Sequence, residues 1–153
     1  MSKRLHTVPF EPAHFDVMEL RSNEAARFEL DPQNRQKIQA LAAHGVGATL
    51  MYDGRILAIV GYYELWAGCY ELWVLPSVYI PQYAIVYLRA MRLYLSQIED
   101  TLKPKRLQTS SLADKLHNDW MLSLGFTLET PGGMKHYSIT GETFNMWSRT
   151  YVA

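Results

Sequence analysis

The longest periodic pattern of apolar and polar positions in the sequence runs from Pro81 to Leu102. Its apolar residues recur at spacings that alternate between four and three, which places them on one face of a helix. Lys103-Pro104 follows directly, and a residue that precedes proline disfavours the helical conformation. We therefore predict an amphipathic helix over this stretch, with a buried face formed by Ala84, Leu88, Met91, Leu95, Ile98 and Leu102.

Apolar runs on both sides of Asp53-Gly54 predict a β-hairpin, because this dipeptide favours the tight turn that joins two antiparallel strands. The strands are expected at about Val46–Tyr52 and Arg55–Leu65, with Gly61 as a candidate bulge. The segment Cys69–Pro76 predicts another strand, which its proline ends.

The segment from Asp31 to Gly45 carries helix signals at both ends. Asp31 can cap the start, and Pro32 would occupy the first helical position. Gly45 can close the end in a left-handed conformation. The expected buried stripe of this helix is Ile38, Leu41 and Ala42.

Three shorter elements complete the first part of the chain and the stretch after the long helix. We expect a strand within Lys3–Phe10, a short helix within Pro12–Leu20 and a strand within Lys105–Ser111. Ser111 and Asp114 resemble a capping box that opens a further helix, which Gly125 can close. The predicted apolar stripe of that helix is Leu112, Leu116, Trp120 and Leu124.

The last part of the chain predicts a hairpin. Its strands are Phe126–Glu129 and Met134–Thr140, joined at Pro131-Gly132-Gly133, and residues 141–153 either extend it or add a strand. The order is therefore β-α-α-β-β-β-α-β-α-β-β, with one β-α-β crossover in the middle. We predict an α/β protein with a mixed (α+β) sheet and helices on both faces.

The composition indicates an ordinary globular protein and argues against several partner classes. A length of 153 residues fits one domain over 1–153, and 15 basic and 15 acidic residues cancel, so neither nucleic acid nor a membrane surface is expected as a partner. The apolar runs are shorter than the roughly 20 residues that span a bilayer. The lone Cys69 fits a reducing cytoplasm.

The stretch "NDWMLSLGFTLE" carries Leu124-Gly125-Phe126 between a predicted helix and a predicted strand. Together with the Asp53-Gly54 hairpin and "YELWVLP" before a helix, it resembles the GNAT superfamily of acyl-CoA-dependent N-acyltransferases. This resemblance implies a central mixed sheet whose middle strands splay apart. More narrowly, the segment "SSLADKLHNDWMLSLGF" looks like small GNAT-like proteins of tailed phages, some acetyltransferases and some internal virion proteins.

The resemblance implies that acetyl-CoA binds between the strands "YELWVLP" and "KRLQTSS", and that backbone N–H groups at the start of the following helix hold its pyrophosphate. The residues so implied are Leu72, Trp73, Val74 and Leu75 for pantetheine, and Ser77, Val78, Gln82 and Tyr83 for the phosphates. Asp114 corresponds to a family asparagine that contacts CoA, although it can also serve only as a helix cap.

The loop departs from the family pattern, in which a basic residue and glycines let the backbone approach the phosphates. This chain has "SVYIPQY" there, with bulk at Val78, Tyr79 and Ile80, and no arginine or lysine before Arg89. Pro81 also removes one N–H donor.

Acetyl transfer to an amine needs a base and commonly an acid. The resemblance implies Glu71 as the base, with Glu64 as the other candidate, and the alternative for both is an ordinary solvent-facing carboxylate on a strand. The family's acid is a tyrosine at the place of Met121, which cannot donate a proton. His117 could replace it, although a lone helical histidine more often packs or faces solvent. Tyr83 and Tyr87 could reach the site or pack.

Other chemistries have weaker signals. The five histidines show no metal-ligand spacing, so no metal is expected, and Cys69 is expected to be buried and inert. Two functions therefore remain open. One is a phage-encoded acetyltransferase acting on an amine in the host cytoplasm, and the other is a GNAT-shaped protein without turnover that binds a host enzyme or packs into the virion. The clustered aromatic residues make a homodimer an alternative partner state.

Overall fold

The computed structural model of the protein describes residues 4–44 and 46–151. Within these residues the strands form one sheet in the order β1-β2-β3-β4-β5-β7-β6, which contains antiparallel and parallel neighbours. The mixed α/β class predicted from the sequence is confirmed. The elements are β1 His6–Pro9, α1 Pro12–Val17, α2 Ser22–Leu30, α3 Asn34–His44, β2 Val46–Tyr52, β3 Arg55–Trp66, β4 Cys69–Pro76, α4 Ala84–Leu102, β5 Arg106–Leu112, α5 Lys115–Ser123, β6 Thr127–Leu128 and β7 Phe144–Thr150.

The chain divides into two compact units. Unit 1 comprises Met1–Tyr63 and Trp73–Tyr87, and unit 2 comprises Glu64–Leu72 and Leu88–Ala153. None of the described helices combines the length and the apolar character that a bilayer crossing requires.

The predicted β2–β3 hairpin of unit 1 is confirmed. Asp53 and Gly54 have φ angles of 53° and 72°, as a two-residue turn with both central residues left-handed requires. The register runs Leu50↔Ala58 and then Met51↔Ile56, so the irregularity falls on the residue between Ile56 and Ala58. The prediction of a bulge at Gly61 is therefore wrong.

Gly61 instead makes room for an indole ring. It pairs with Gly47 across β2 and β3, and a Cβ atom built on it would lie 2.3 Å from Cζ2 of Trp73. A Cβ atom on Gly47 would lie 3.3 Å from Cη2 of the same ring and 2.9 Å from Cβ of Phe10. The two glycines thus allow the Trp73 indole to lie directly against the backbone of the sheet.

The helix α2, Ser22–Leu30, was missed by the sequence analysis, which placed two helices in this region where the structure has three. Its start has no capping side chain, and a buried carboxylate supports its first turn. Glu24 is 4% exposed and accepts hydrogen bonds from the guanidinium of Arg21, with Nε at 2.9 Å from Oε1. Phe28 packs against the unit 1 core, whose buried residues are Phe10, Met18, Ile38 and Ile59.

The helix predicted between Asp31 and Gly45 begins later than expected. The helix α3 starts at Asn34, and Pro32 lies in the turn before it rather than at the first helical position. The predicted capping of this helix by Asp31 is wrong, because Asp31 is the C-cap of α2 and its Oδ1 accepts the N–H of Gln33 at 2.9 Å within the turn before α3. Ile38 is buried as predicted. The predicted closing role of Gly45 lies outside the described residues.

In unit 2, the strand β5 pairs with two neighbouring strands. It pairs with β4 in parallel through Cys69↔Arg106, Tyr70↔Leu107 and Glu71↔Gln108, and with β7 antiparallel along its whole length. The crossover helix α4 begins at Ala84 rather than at Pro81. Its predicted face is buried at Met91, Leu95 and Ile98.

The predicted final hairpin is wrong in its second strand. The strand β6 pairs with β7, Phe144–Thr150, and Met134 forms only an isolated bridge with Phe144. The segment after Met134 cannot alternate buried and exposed side chains, because Lys135 and His136 are both exposed and His136 has a φ angle of 54°. In β7, Asn145 and Trp147 are buried on one face, and Ser148 on the opposite face is buried as well.

The helix α5 opens at Asp114 rather than at Ser111, which lies within β5. Oδ1 of Asp114 accepts the N–H of His117 at 2.9 Å. The predicted apolar stripe is also wrong at Leu116, which is 47% exposed, whereas His117 is buried. Gly125 ends the helix region with a φ angle of 81°, as predicted.

The cap at Asp114 gives a stability prediction. Replacing Asp114 by alanine leaves the N–H of His117 without its acceptor, so we expect the free energy of unfolding to fall by about 1 kcal/mol. Asp119→Ala is the matched control, because Asp119 lies on the same helix and its side chain bonds the exposed Lys115 at 2.6 Å. Urea unfolding of both variants measures the difference, and equal losses would contradict the capping role.

Candidate active site

The sheet of unit 2 has two chemically different faces. One face carries Leu107, Thr109 and Trp147 and receives α4 and α5, since Arg149 of β7 bonds both Glu99 of α4 and the carbonyl of Leu124 at the end of α5. We call the opposite face, with Glu71, Arg106, Gln108, Glu129 and Ser148, the polar face.

Glu71 is the central carboxylate of the polar face. It lies on β4 directly opposite Gln108 of β5, in the last residue pair of the β4–β5 register. Its side chain is half-buried, and Oε2 is buried without a hydrogen-bond partner among the described residues. An unpaired buried acceptor is costly, so Oε2 of Glu71 is a candidate acceptor for a donor from a ligand.

Gln108 belongs to a chain of polar contacts that crosses the strands. Nε of Arg106 donates to Oε1 of Gln108 at 2.8 Å, and Nη1 of Arg106 lies 2.8 Å from Oε2 of Glu129. Ser148 of β7 donates to the Glu129 carboxylate as well. The polar face therefore holds a continuous network that ends beside Glu71.

The two carboxylates of this network differ in acidity. Burial raises the pKa of Glu71, and the amide of Gln108 and the charge of Arg106 oppose that increase. The hydrogen bonds from Arg106 and Ser148 lower the pKa of Glu129. Glu71 is therefore the group of the pair better suited to accept a proton.

The other predicted base, Glu64, has a different environment. It is exposed on β3, close to the turn that leads into β4. The structure does not give Glu64 the partial burial that distinguishes Glu71.

His117 and Asp114 lie together but away from Glu71. Nδ1 of His117 is 2.6 Å from Oδ1 of Asp114, and its ring contacts that of Trp120. Both residues belong to α5, on the side of the sheet opposite the polar face. The structure thus gives His117 and Asp114 a capping arrangement and does not bring them together with Glu71.

The loop after β4 uses most of its own N–H groups within unit 1. The N–H of Ser77 donates to the carbonyl of Leu57 at 3.1 Å, and that of Val78 to the carbonyl of Glu19 at 2.9 Å. The N–H of Tyr83 is bonded to carbonyls in the preceding turn, and Ser77 is fully buried. Ser77, Val78 and Tyr83 therefore do not present free N–H groups to a phosphate, contrary to the expectation from the sequence.

The start of α4 does retain free donors. The N–H groups of Gln82, Ala84, Ile85 and Val86 donate no hydrogen bond within the described residues. These groups and the helix dipole fit an anion, so a phosphate is compatible with the start of α4 although not with the whole loop.

A cation that the sequence analysis missed lies beside this helix start. The guanidinium carbon of Arg55, the first residue of β3, is 4.6 Å from the centre of the Tyr79 ring. Its Nη1 is 3.4 Å from the Tyr83 hydroxyl, which donates to Asp53 at 2.9 Å. No local pattern marks Arg55, because only the pairing of the strands brings it to the loop.

The remaining predicted residues of β4 pack inside the protein. The carbonyl of Leu72 accepts the hydroxyl of Thr109 at 2.9 Å, and Trp73 covers the glycines of β2 and β3. Leu75 packs against the unit 1 core, and Val74 is half-buried. Tyr87 is buried, and burial raises its pKa, so its hydroxyl stays protonated.

The fold is that of the GNAT-family acetyltransferases. The GNAT-family acetyltransferase of Bacillus anthracis superposes with a TM-score of 0.67 at 12% identity, over 98% of this chain and 96% of that chain. A candidate acetyltransferase of Acinetobacter baylyi ADP1 gives a TM-score of 0.71 at 11% identity, over 99% and 95% of the two chains.

A structure with a bound ligand shares this fold. RimL, a ribosomal L7/L12 α-N-protein acetyltransferase in complex with coenzyme A, gives a TM-score of 0.67 at 12% identity, over 97% of this chain and 95% of that chain. No protein-family model matches the sequence, and no curated protein matches it. The similarity to these proteins is therefore one of fold.

Proposed function

We propose that this protein is an N-acyltransferase that uses acetyl-CoA or a related acyl-CoA and an amine acceptor. The GNAT fold, which covers nearly the whole chain, supports the reaction class. Fold alone does not carry function, so the proposal depends on the polar face.

The observation that carries the proposal is the state of the Glu71 carboxylate. Its Oε2 is buried without a partner, and burial raises its pKa. An acceptor in its ammonium form can donate a hydrogen bond to this oxygen and then give up a proton to it, which leaves the neutral amine with its nucleophilic lone pair. The proton leaves the amine nitrogen and is held on Glu71.

The start of α4 supplies the contacts for an acyl-CoA. The N–H groups of Gln82, Ala84, Ile85 and Val86 and the guanidinium of Arg55 would hold its phosphates. When bound, an acyl-CoA supplies the thioester carbonyl that an amine attacks. The chain's own residues bind the donor, orient the amine and hold the proton.

Calorimetry and a thiol-release assay test this function. We expect acetyl-CoA to bind, and a panel of primary amines that includes peptide N-termini to show acetyl-CoA-dependent release of free thiol. No heat at millimolar acetyl-CoA, together with no thiol release for any amine, would refute the proposal.

The phosphate contact can be tested separately. Arg55→Gln removes the only charged donor that we assign to the phosphates, so the Kd for acetyl-CoA should rise about tenfold. Arg89→Gln is the control, because Arg89 is an exposed arginine of α4 and its loss removes the same charge. Equal Kd values for the two variants would show that Arg55 does not contact the phosphates.

The engaged N–H groups of the loop favour a second function, namely a GNAT-shaped protein that binds another protein without turnover. Val78 and Ser77 would have to give up bonds to Glu19 and Leu57 before the loop could hold a phosphate in the family's manner. The partner in this case would be a host enzyme or a virion component of a phage, in the host cytoplasm or in the virion. Absence of any acyl-CoA binding would favour this function.

A further inference from the structure

We propose that Gln108 is a positioning residue, held by Arg106 so that its amide nitrogen faces Glu71 and one oxygen of that carboxylate stays free for the acceptor. The inference rests on the proposed function only for the role of Glu71 as the base. The orientation of the Gln108 amide can be measured without any turnover.

The guanidinium of Arg106 determines the orientation of the Gln108 side-chain amide. A guanidinium can only donate hydrogen bonds, so the atom of Gln108 that lies 2.8 Å from Nε of Arg106 must be the carbonyl oxygen. The amide nitrogen therefore lies on the other branch of the side chain. Since Glu71 is the direct cross-strand neighbour of Gln108, that nitrogen can donate to its carboxylate.

Arg106 is itself held in place from the other side. Its Nη1 pairs with Oε2 of Glu129 at 2.8 Å, and Glu129 also accepts from Ser148 of β7. Arg106 from β5 and Glu129 from the end of β6 thus pair with each other on the polar face. The amide of Gln108 is the contact that orients the Glu71 carboxylate.

In this arrangement the two carboxylate oxygens of Glu71 have different roles. The oxygen that faces Gln108 is held by a fixed donor, whereas Oε2 is buried with no partner and can accept a proton. The amide stabilises the carboxylate form and thereby limits the increase in pKa that burial causes. Gln108 and Arg106 together favour the ionised form of Glu71 and hold its carboxylate in one orientation.

Titration of the Glu71 side-chain carboxyl by carbon-13 NMR tests the proposal, with its resonance assigned from the Glu71→Gln spectrum. Gln108→Leu should raise the pKa of Glu71 by about 1, because the anion loses its donor. Gln108→Met, a less disruptive replacement in a strand, should do the same. An unchanged pKa in folded forms of both variants would overturn the proposal.

Arg106→Lys separates positioning from charge. Lysine keeps the positive charge but lacks the planar fork that holds both Gln108 and Glu129, so the pKa of Glu71 should rise as it does in Gln108→Leu. A wild-type pKa in Arg106→Lys would show that only the charge matters and would overturn the positioning role. Lys115→Gln, which removes an exposed charge of α5, should leave the pKa unchanged.

These outcomes are distinct from those that test the proposed function. If the pKa of Glu71 responds as expected but no thiol is released with any amine, the positioning role stands and the acyltransferase function fails. If turnover is observed and the pKa does not respond, the reverse holds.

Discussion

Glu71→Gln is expected to lower kcat/KM for the amine acceptor by about 10²- to 10³-fold, the usual contribution of a general base. Glutamine keeps the size and the polarity of the side chain and cannot take the proton. Glu64→Gln is the matched control, because Glu64 is exposed on the neighbouring strand β3, and its kcat/KM should stay within about twofold of wild type. Initial rates of thiol release measure both.

The pH dependence follows from the direction of the pKa change. Burial raises the pKa of Glu71, and the carboxylate form is the active one, so kcat/KM should rise with pH through that raised pKa and then level off. The rise should be absent in Glu71→Gln. Equal rates for the Glu71 and Glu64 variants, or a rise that persists without Glu71, would defeat the assignment of the base.

Gly61→Ala is expected to lower the free energy of unfolding by about 2–3 kcal/mol, a large effect for one methyl group. The added Cβ atom would lie 2.3 Å from Cζ2 of Trp73 and 2.6 Å from the carbonyl oxygen of Val46. The backbone oxygen cannot move without disturbing the β2–β3 pairing, and the indole has no room to withdraw because it packs against Phe10. Urea unfolding monitored by tryptophan fluorescence measures the loss.

Gly132→Ala is the control for this prediction. A Cβ atom at Gly132 would meet nothing within 4 Å, and its φ angle is not positive, so the change should stay within about 0.5 kcal/mol. A second variant isolates the cause, since Trp73→Leu should relieve much of the additional loss in the Gly61→Ala background. Equal losses for Gly61→Ala and Gly132→Ala would mean that the indole does not lie on Gly61.

Local sequence patterns correctly predicted the β2–β3 hairpin and the helix α4. The hairpin at Asp53-Gly54 is specified by a turn dipeptide and lies where the sequence predicts it. The helix α4 is specified by an apolar period and ends as predicted, although it begins at Ala84 rather than at Pro81. The helix α2 has no capping side chain at its start, and it is supported by the buried Glu24 and by contacts of Phe28 with the core. Tertiary contacts of this kind are invisible in a single sequence.

The candidate site was predictable only in part, for the same reason. The resemblance singled out Glu71, but its partners Gln108, Arg106 and Glu129 come from other strands and meet it only through the register of β4, β5 and β6. The missing glycines of the loop were evident from the sequence. The sequence did not reveal that carbonyls from other elements accept the N–H groups of this loop, because no local pattern links Val78 to Glu19.

The hydrogen bond between Val78 and Glu19 couples ligand binding at the loop before α4 to the segment between α1 and α2. Any ligand that recruits the Val78 amide must first displace a carbonyl from the segment between α1 and α2, where Leu20 also forms a bridge with Ser77. By thermodynamic reciprocity, whatever loosens that segment makes the amide available, and a ligand on the amide loosens the segment to the same extent in free energy. The chain therefore carries, in one backbone bond, an energetic link between its first helices and the loop that opens α4.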